Sequence, residues 1–167
     1  MSVTMENCTI SENKASSSPS ATTGGGVVAS NGVNLTMLDC TISHNYAIKE
    51  GGGLAFYGAN VHMERCLITE NRALFGGGLI ADSSSYLSCT ETSFLYNDAV
   101  RGAGAYIGGS LSVLYFDHCN IAHNVASEGS GAGLYISAGI VSIVSSTVFN
   151  NTGSGAYFTL KSGAADG

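Results

Sequence analysis

The sequence predicts an all-β fold, a right-handed three-sided parallel β-helix of about six coils with 26–27 residues each. The first observation is an asparagine that recurs at steps of 32, 26, 26, 27 and 27 residues, each time at the end of the same short phrase. The second is that apolar residues occupy every second position in the same three short segments of each unit. The recurring asparagines are Asn13, Asn45, Asn71, Asn97, Asn124 and Asn151.

Each unit contains three predicted strands, because alternation with a period of two indicates strands and the segments are too short for helices. In the second unit the first strand turns Leu35 and Met37 inward, and the second strand turns Ile42 inward. The third strand follows a glycine cluster and turns Leu54 and Phe56 inward. The other units carry the same kinds of residue at the same positions, so we expect each strand to pair in parallel with its equivalent in the neighbouring coils. Parallel crossover connections are almost always right-handed, which predicts the direction of winding.

Two columns of residues predict the corners between strands. Asparagine tolerates a left-handed backbone and stacked side-chain amides can hydrogen-bond along the axis, so we interpret the asparagines as a structural ladder at one corner. Glycine-rich triplets at 24–26, 51–53, 76–78, 102–104 and 131–133 predict the next corner, where positive φ or close packing is needed. An insertion at residues 16–20 lengthens the first complete coil.

Composition and charge exclude several classes of protein. The 167 residues, 44% of them apolar with a single proline, predict one folded domain over residues 1–167, which we interpret as a segment of a longer solenoid or surface protein. A net charge of −6 argues against nucleic acid and anionic membranes as partners. No apolar run reaches transmembrane length. We expect an extracellular or cell-surface location, with any export signal outside these residues.

The five cysteines predict buried side chains and neither a disulfide framework nor a zinc site. Cys89 falls in the column of Met37, and the chain has no Cys-x-x-Cys pair. The other four share one inward column with a threonine and a serine, and this column reads Cys8, Cys40, Cys66, Thr92, Cys119 and Ser146.

The repeat resembles that of the chlamydial polymorphic membrane proteins and their relatives. The similarity lies in Ile/Phe-x-x-Asn and Gly-Gly-x-Leu/Ile motifs that alternate over the whole chain, with Asn-x-Ala between them. The resemblance implies a right-handed β-helical passenger of an exported or surface protein, often an adhesin. Gly53 and Gly78 depart from it, because they stand where that family usually has alanine.

Two polar columns are candidates for chemistry, although the sequence predicts no catalytic residue, no metal and no cofactor. In the first, Asp39, Arg65 and Glu91 stack on successive coils with His118 next, which is the basis for a rival polysaccharide lyase or glycoside hydrolase of pectate-lyase-like fold. Alternating charges of this kind more often form a solvated surface. In the second, Glu12 and Glu70 flank His44, and this trio could hold a divalent metal but is more typical of solvated corner residues.

The candidate binding site is an outward column between the two inward positions of the third strand. It contains three tyrosines on consecutive coils, Tyr106, Tyr135 and Tyr157, next to aliphatic residues. Tyrosine is rigid and amphipathic and suits both sugars and protein interfaces. We therefore expect a non-catalytic protein that acts in adhesion or as a structural element. Its expected partner is a protein or glycan surface, or a second copy joined end to end through uncapped coils.

Overall fold

A computed structural model describes residues 1–16 and 23–158, in which all regular secondary structure is β-strand. The predicted insertion at residues 16–20 lies outside these ranges apart from Ser16. Strands are numbered in chain order. Sheet I takes one strand from each coil and consists of β1 (Ser2–Glu6), β5 (Asn34–Leu38), β9 (Asn60–Glu64), β12 (Tyr86–Thr90), β16 (Val113–Asp117) and β20 (Ile140–Val144).

Two further six-stranded sheets form the other sides of the helix. Sheet II follows sheet I in each coil and consists of β2 (Thr9–Ser11), β6 (Thr41–Ser43), β10 (Leu67–Thr69), β13 (Ser93–Leu95), β17 (Asn120–Ala122) and β21 (Thr147–Phe149). Sheet III follows the glycines and consists of β4 (Val27–Ser30), β8 (Leu54–Tyr57), β11 (Leu79–Asp82), β15 (Ala105–Ile107), β19 (Leu134–Ile136) and β22 (Ala156–Phe158). All pairs in the three sheets are parallel, which confirms the predicted fold class, although the count is about five turns rather than six.

A fourth row of backbone pairing follows the asparagines. It contains the two-stranded pairs β3 (Lys14–Ala15) with β7 (Tyr46–Ala47) and β14 (Asp98–Arg101) with β18 (Val125–Ser130). Single bridges join Arg72 to Tyr46 on one side and to Asp98 on the other, so the row continues between the two pairs. The sequence predicts only three strands in each unit, so this fourth row is a correction: the segment between the asparagines and the glycines varies from unit to unit, yet it still pairs between coils.

The core is a stack of inward side chains, and in one column a large residue lies between two small ones. Phe56 lies between Ala29 of the coil before and Ala81 of the coil after, and all three are buried. Phe94 and Phe116 meet edge to face with their ring centroids 5.9 Å apart. Small neighbours thus leave room for a phenylalanine ring in the close-packed interior.

The asparagine ladder satisfies polar groups that the fold buries. The Asn71 side chain donates to the Ile42 carbonyl at 2.9 Å, and both its backbone N–H and its amide donate to Oδ1 of Asn97, at 3.0 and 3.1 Å. The side-chain amides make the same contact between every pair of neighbours from Asn13 to Asn151. Asn71 and Asn97 are completely buried, so these bonds replace water for groups that are costly to leave unpaired.

The left-handed corner residues lie one position before the ladder, not on it as the sequence analysis expected. The corner between sheet II and the ladder has φ between 50° and 60° at Glu12, His44, Glu70, Tyr96, His123 and Asn150. The bend between sheets I and II has φ between 47° and 52° at Asn7, Asp39, Arg65, Glu91, His118 and Ser145. At each of these two corners, one left-handed residue turns the chain so that the next strand can begin. The ladder asparagines keep a backbone that turns their amides toward the axis.

The cysteines of the inward column are free, as predicted. The Cys40 thiol donates to the Leu38 carbonyl at 3.2 Å, two residues earlier, and Thr92 Oγ1 makes the equivalent bond to Thr90 at 2.9 Å. Each bond spans the left-handed bend residue and closes the turn. Burial raises the pKa of Cys66 to about 11, so this residue is a neutral thiol at pH 7.

Candidate functional site

The three tyrosines of the candidate site lie on neighbouring strands of sheet III. Tyr106 on β15 pairs in register with Tyr135 on β19, which pairs with Tyr157 on β22. The rings of Tyr106 and Tyr135 are 4.9 Å apart and 7° from parallel, and those of Tyr135 and Tyr157 are 5.0 Å apart and 18° from parallel. We call these three residues the tyrosine stripe. The spacing of the coils alone brings the rings into contact, since strands in a sheet are about 4.8 Å apart.

The aliphatic part of the same column is mostly covered, which corrects the expectation that it faces solvent. Ala55 is 0% exposed and Ile80 is 3% exposed, while Val28 in the first coil is 51% exposed. The segments that contain Glu50 and Phe75, which precede two of the glycine triplets, pack against the outer face of sheet III. A Cβ on Gly51 would lie 2.7 Å from the Ala55 Cβ, and the Tyr57 hydroxyl donates to Glu50 at 2.7 Å, so this segment is packed closely.

The segments that pack on the outer face of sheet III leave the tyrosine stripe partly open to solvent. Phe75, from one of these segments, contacts the Tyr106 ring with the centroids 5.6 Å apart. The stripe therefore begins next to the covered part of sheet III. Tyr157 is 38% exposed. Because ring faces contact each other along the stack, ring edges and hydroxyl groups remain for a partner. Removal from water raises the pKa of Tyr135, with smaller contributions from Tyr106 and Tyr157, so its hydroxyl is neutral at pH 7.

The charge column of the rival hypothesis contains a tightly paired carboxylate. Arg65 holds both oxygens of Asp39, with Nε to Oδ1 at 2.7 Å and Nη2 to Oδ2 at 2.8 Å. Arg65 also contacts Glu64, and His118 pairs with Asp117 at 2.8 Å instead of joining the column. The hydrogen bonds from Arg65 keep the pKa of Asp39 below its ordinary value of 3.8. A carboxylate with both oxygens occupied is a weak proton acceptor, which argues against a general base at Asp39.

We predict that the pKa of Asp39 lies below 3.8 in the wild type and returns toward 3.8 in Arg65→Gln, because the bidentate hydrogen bond is lost. The stability that this pair contributes is therefore present above the ordinary pKa and is lost as the pH falls through the lowered one. Titration of the side-chain carboxyl carbon by NMR measures the shift. An unchanged pKa in Arg65→Gln would show that the pair does not form in solution.

The trio of Glu12, His44 and Glu70, which we considered as a metal site and interpreted as solvated corner residues, comes together only in part. His44 Nε2 lies 2.9 Å from Oε2 of Glu70, and both side chains are about half exposed. Within residues 1–16 and 23–158 no group of three or more His, Cys, Asp or Glu side chains is arranged to hold a metal ion.

The structure shows two aromatic clusters that the sequence analysis did not single out. Tyr96 and His123 stack with centroids 4.9 Å apart at 12°, and Phe149 meets His123 edge-on at 5.5 Å. Tyr86 and Tyr115 lie 5.9 Å apart on the outer face of sheet I. Tyr96 and His123 are consecutive residues of the corner column, and Phe149 lies at the end of the neighbouring strand of sheet II.

A cavity of about 480 Å³ opens beside Tyr96, at the corner between sheet II and the ladder. It lies between the left-handed corner residues and the residues that follow the ladder asparagines. Both columns point outward there, so their side chains face each other across the ladder.

Comparison with known proteins agrees with this architecture. A family model described as the right handed beta helix region matches residues 1–165. The searches of curated proteins and of solved structures gave no match. In the part of the chain that the structure describes, no helix is long and apolar enough to cross a membrane. The family match covers nearly the whole chain and confirms the predicted right-handed winding, and the chain therefore belongs to the right-handed β-helix family.

Proposed function

We propose that this protein is a non-catalytic, extracellular or cell-surface β-helix that binds a partner surface through the tyrosine stripe. The observation that carries the proposal is the stack of Tyr106, Tyr135 and Tyr157, with centroids 4.9 and 5.0 Å apart on three adjacent strands. A role in adhesion is in keeping with the resemblance of the repeat to the chlamydial polymorphic membrane proteins.

The position of the stripe supports binding because it is rigid before a partner arrives. Each tyrosine belongs to a strand that is hydrogen-bonded in register to its neighbours, and its ring is held by the next ring. Little side-chain entropy is then lost on association. Tyrosines with few accessible rotamers are typical anchors of protein interfaces.

The stacking also favours a protein surface over a sugar at this site. A sugar ring packs against the open face of an aromatic ring, but both faces of Tyr135 contact tyrosines. The stripe instead offers hydroxyl groups and ring edges in a row, which suit the mixed polar and apolar contacts of a protein interface.

We predict that a variant with Tyr106, Tyr135 and Tyr157 all changed to serine loses binding to its target surface by at least about 100-fold, because loss of a single aromatic anchor costs roughly 2 kcal/mol or more and the costs of neighbouring anchors do not simply add. Binding of labelled protein to intact bacterial and animal cells, measured by flow cytometry, provides the readout. A triple phenylalanine variant keeps the stack and removes only the hydroxyl groups, so we expect it to bind with intermediate strength.

The matched control changes Tyr86 and Tyr115 to serine, since these two tyrosines are also exposed and in ring contact with each other but lie on sheet I. Circular dichroism establishes that each variant is folded. Light scattering over a concentration series detects end-to-end self-association, which would raise the apparent affinity by avidity. Equal binding by the serine variant and the wild type would exclude the stripe as the binding site.

The second candidate is a polysaccharide lyase or hydrolase of pectate-lyase-like fold. It is favoured by the family membership and by the stacked charges of Asp39 and Arg65. It requires that the wild type degrades a polysaccharide and that Asp39→Asn and Arg65→Ala each abolish the activity. Incubation with polygalacturonate and with neutral polysaccharides, followed by chromatography of the products, decides between the two candidates.

A further inference from the structure

The cavity beside Tyr96, which we call the corner groove, has the composition of a small ligand site. It is lined by Glu70, Asn71, Arg72, Tyr96 and Asp98. Its volume of about 480 Å³ is within the range of ordinary small-molecule sites. The groove lies at a different edge of the coil from the tyrosine stripe and does not depend on the function proposed for it.

The fold holds the lining residues in fixed positions. Glu70 and Tyr96 are left-handed corner residues of successive coils, with φ of 54° and 55°. Arg72 and Asp98 are bridged to each other in the fourth row of pairing. Asn71 lies between these two columns and is completely buried in the ladder, so the floor of the groove cannot move without breaking the ladder.

Tyr96 presents a ring face to the groove. Tyr96 is 56% exposed, and one face of its ring is stacked on His123 of the following coil. The opposite face is therefore turned toward the preceding coil, where Glu70 and Arg72 line the groove. In contrast to Tyr135, this tyrosine has one face that no other ring covers among the contacts of the described residues.

Hydrogen-bond donors and acceptors line the same groove as Tyr96. Arg72 Nε lies 3.3 Å from Oδ2 of Asp98, and the two side chains are 69% and 44% exposed. A guanidinium has five N–H donors, which is more than this one ion pair uses. Glu70 pairs with His44 through Oε2. Both carboxylates and the guanidinium are therefore held at the rim and are open to solvent.

We propose that the corner groove binds a neutral saccharide unit. The apolar C–H face of a pyranose packs on Tyr96, while Glu70 and Asp98 accept hydrogen bonds from its hydroxyl groups and Arg72 donates to its oxygens. Two carboxylates against one guanidinium give the lining a formal charge of −1, since −2 and +1 sum to that value. This charge disfavours a uronate and selects an uncharged sugar.

The test uses the intact chain and the absence of tryptophan from its sequence. Tyr96→Trp places the sole tryptophan of the chain in the corner groove, so tryptophan fluorescence reports a sugar that stacks on this side chain. Cellohexaose, maltohexaose and chitohexaose are titrated separately, with polygalacturonate as the acidic comparison. We expect one or more of the neutral oligosaccharides to change the emission in a saturable way and to bind the wild type in calorimetry.

Tyr96→Asn is the loss variant, because Asn150 occupies the same left-handed column and shows that asparagine is accommodated there. We expect it to weaken saccharide binding about tenfold or more, the equivalent of about 1.4 kcal/mol. Tyr86→Asn removes another exposed tyrosine, on sheet I, and should leave the affinity unchanged. No binding of any neutral oligosaccharide, equal binding by Tyr96→Asn, or stronger binding of polygalacturonate would each overturn the proposal.

Discussion

Replacing Asn97 with alanine is expected to lower the free energy of unfolding by about 4 kcal/mol, because four buried hydrogen bonds are lost and their partners are left without water. The side chain donates to Ile68 and Asn124 and accepts twice from Asn71. Loss of a fully buried side chain also leaves a cavity between coils. Urea denaturation followed by circular dichroism measures the change.

Two other asparagines provide matched controls for this prediction. Asn60 donates to Asn34 at 3.0 Å on the exposed face of sheet I, so Asn60→Ala should cost only about 0.5 kcal/mol. Asn13 belongs to the ladder but is exposed, and its replacement should have an intermediate effect. If Asn97→Ala were no more destabilising than Asn60→Ala, the ladder would not contribute to stability in the way proposed.

The second large effect is expected for Gly78→Ala, which should destabilise the fold by about 3 kcal/mol through overpacking. A Cβ at Gly78 would lie 2.5 Å from the carbonyl oxygen of Gly104 and 3.1 Å from the Asn97 side chain. Both neighbours are fixed, one as backbone of the next coil and one in the ladder. The same contact explains why Gly53 departs from the alanine usual in the resembling repeat family, since its Cβ would lie 2.7 Å from the Gly78 oxygen.

Gly155→Ala is the control for Gly78→Ala because it changes the same column in the last described coil. The nearest described atom to a Cβ at Gly155 is Val148 Cγ1, at 3.7 Å, which is an ordinary contact. We expect this variant to be as stable as the wild type or slightly more stable, since alanine restricts the unfolded chain. Thermal unfolding of the two variants side by side tests the difference, and equal midpoints would contradict the packing described for the third glycine.

The sequence was sufficient to predict the strands and the columns they form. Leu54 and Phe56 alternate with outward residues and recur in every unit, and both are fully buried in the structure. Such columns can be recognised because the sheet III strand repeats at a constant distance from the glycines, and the strands of sheets I and II repeat at a constant distance from the ladder asparagine. The tyrosine stripe was found in the same way, as one position of sheet III taken through three coils.

The corners could not be resolved from the sequence to a single residue. The left-handed conformation was assigned to the ladder asparagines because asparagine tolerates it well, yet residues such as His44 adopt it instead. The conformation there is decided by tertiary contacts: the amide of Asn45 must reach Ile10 and Asn71 across the corner. The intrinsic preference of asparagine for a left-handed backbone does not predict these contacts.

The covered column and the corner groove depend on segments without a repeating pattern. Ala55 and Ile80 are buried by the segments before the glycines, which differ in length and sequence from coil to coil. The groove forms where Tyr96 and Asp98, on either side of a ladder asparagine, meet residues of the coil before. The sequence alone does not predict that Tyr96 and Asp98 line the same groove, because this depends on how the chain turns at the corner.

The central claim is that equivalent side chains of successive coils stack, and that this builds the tyrosine stripe. The most direct test is the NMR spectrum of the Tyr135 ring, recorded with isotope-labelled tyrosine and assigned with single Tyr→Phe variants. We predict strong upfield shifts of its ring protons and nuclear Overhauser effects to both Tyr106 and Tyr157, because its ring lies between theirs at 4.9 and 5.0 Å. Ring resonances at the positions of an unfolded chain, with no contact to either tyrosine, would contradict the account.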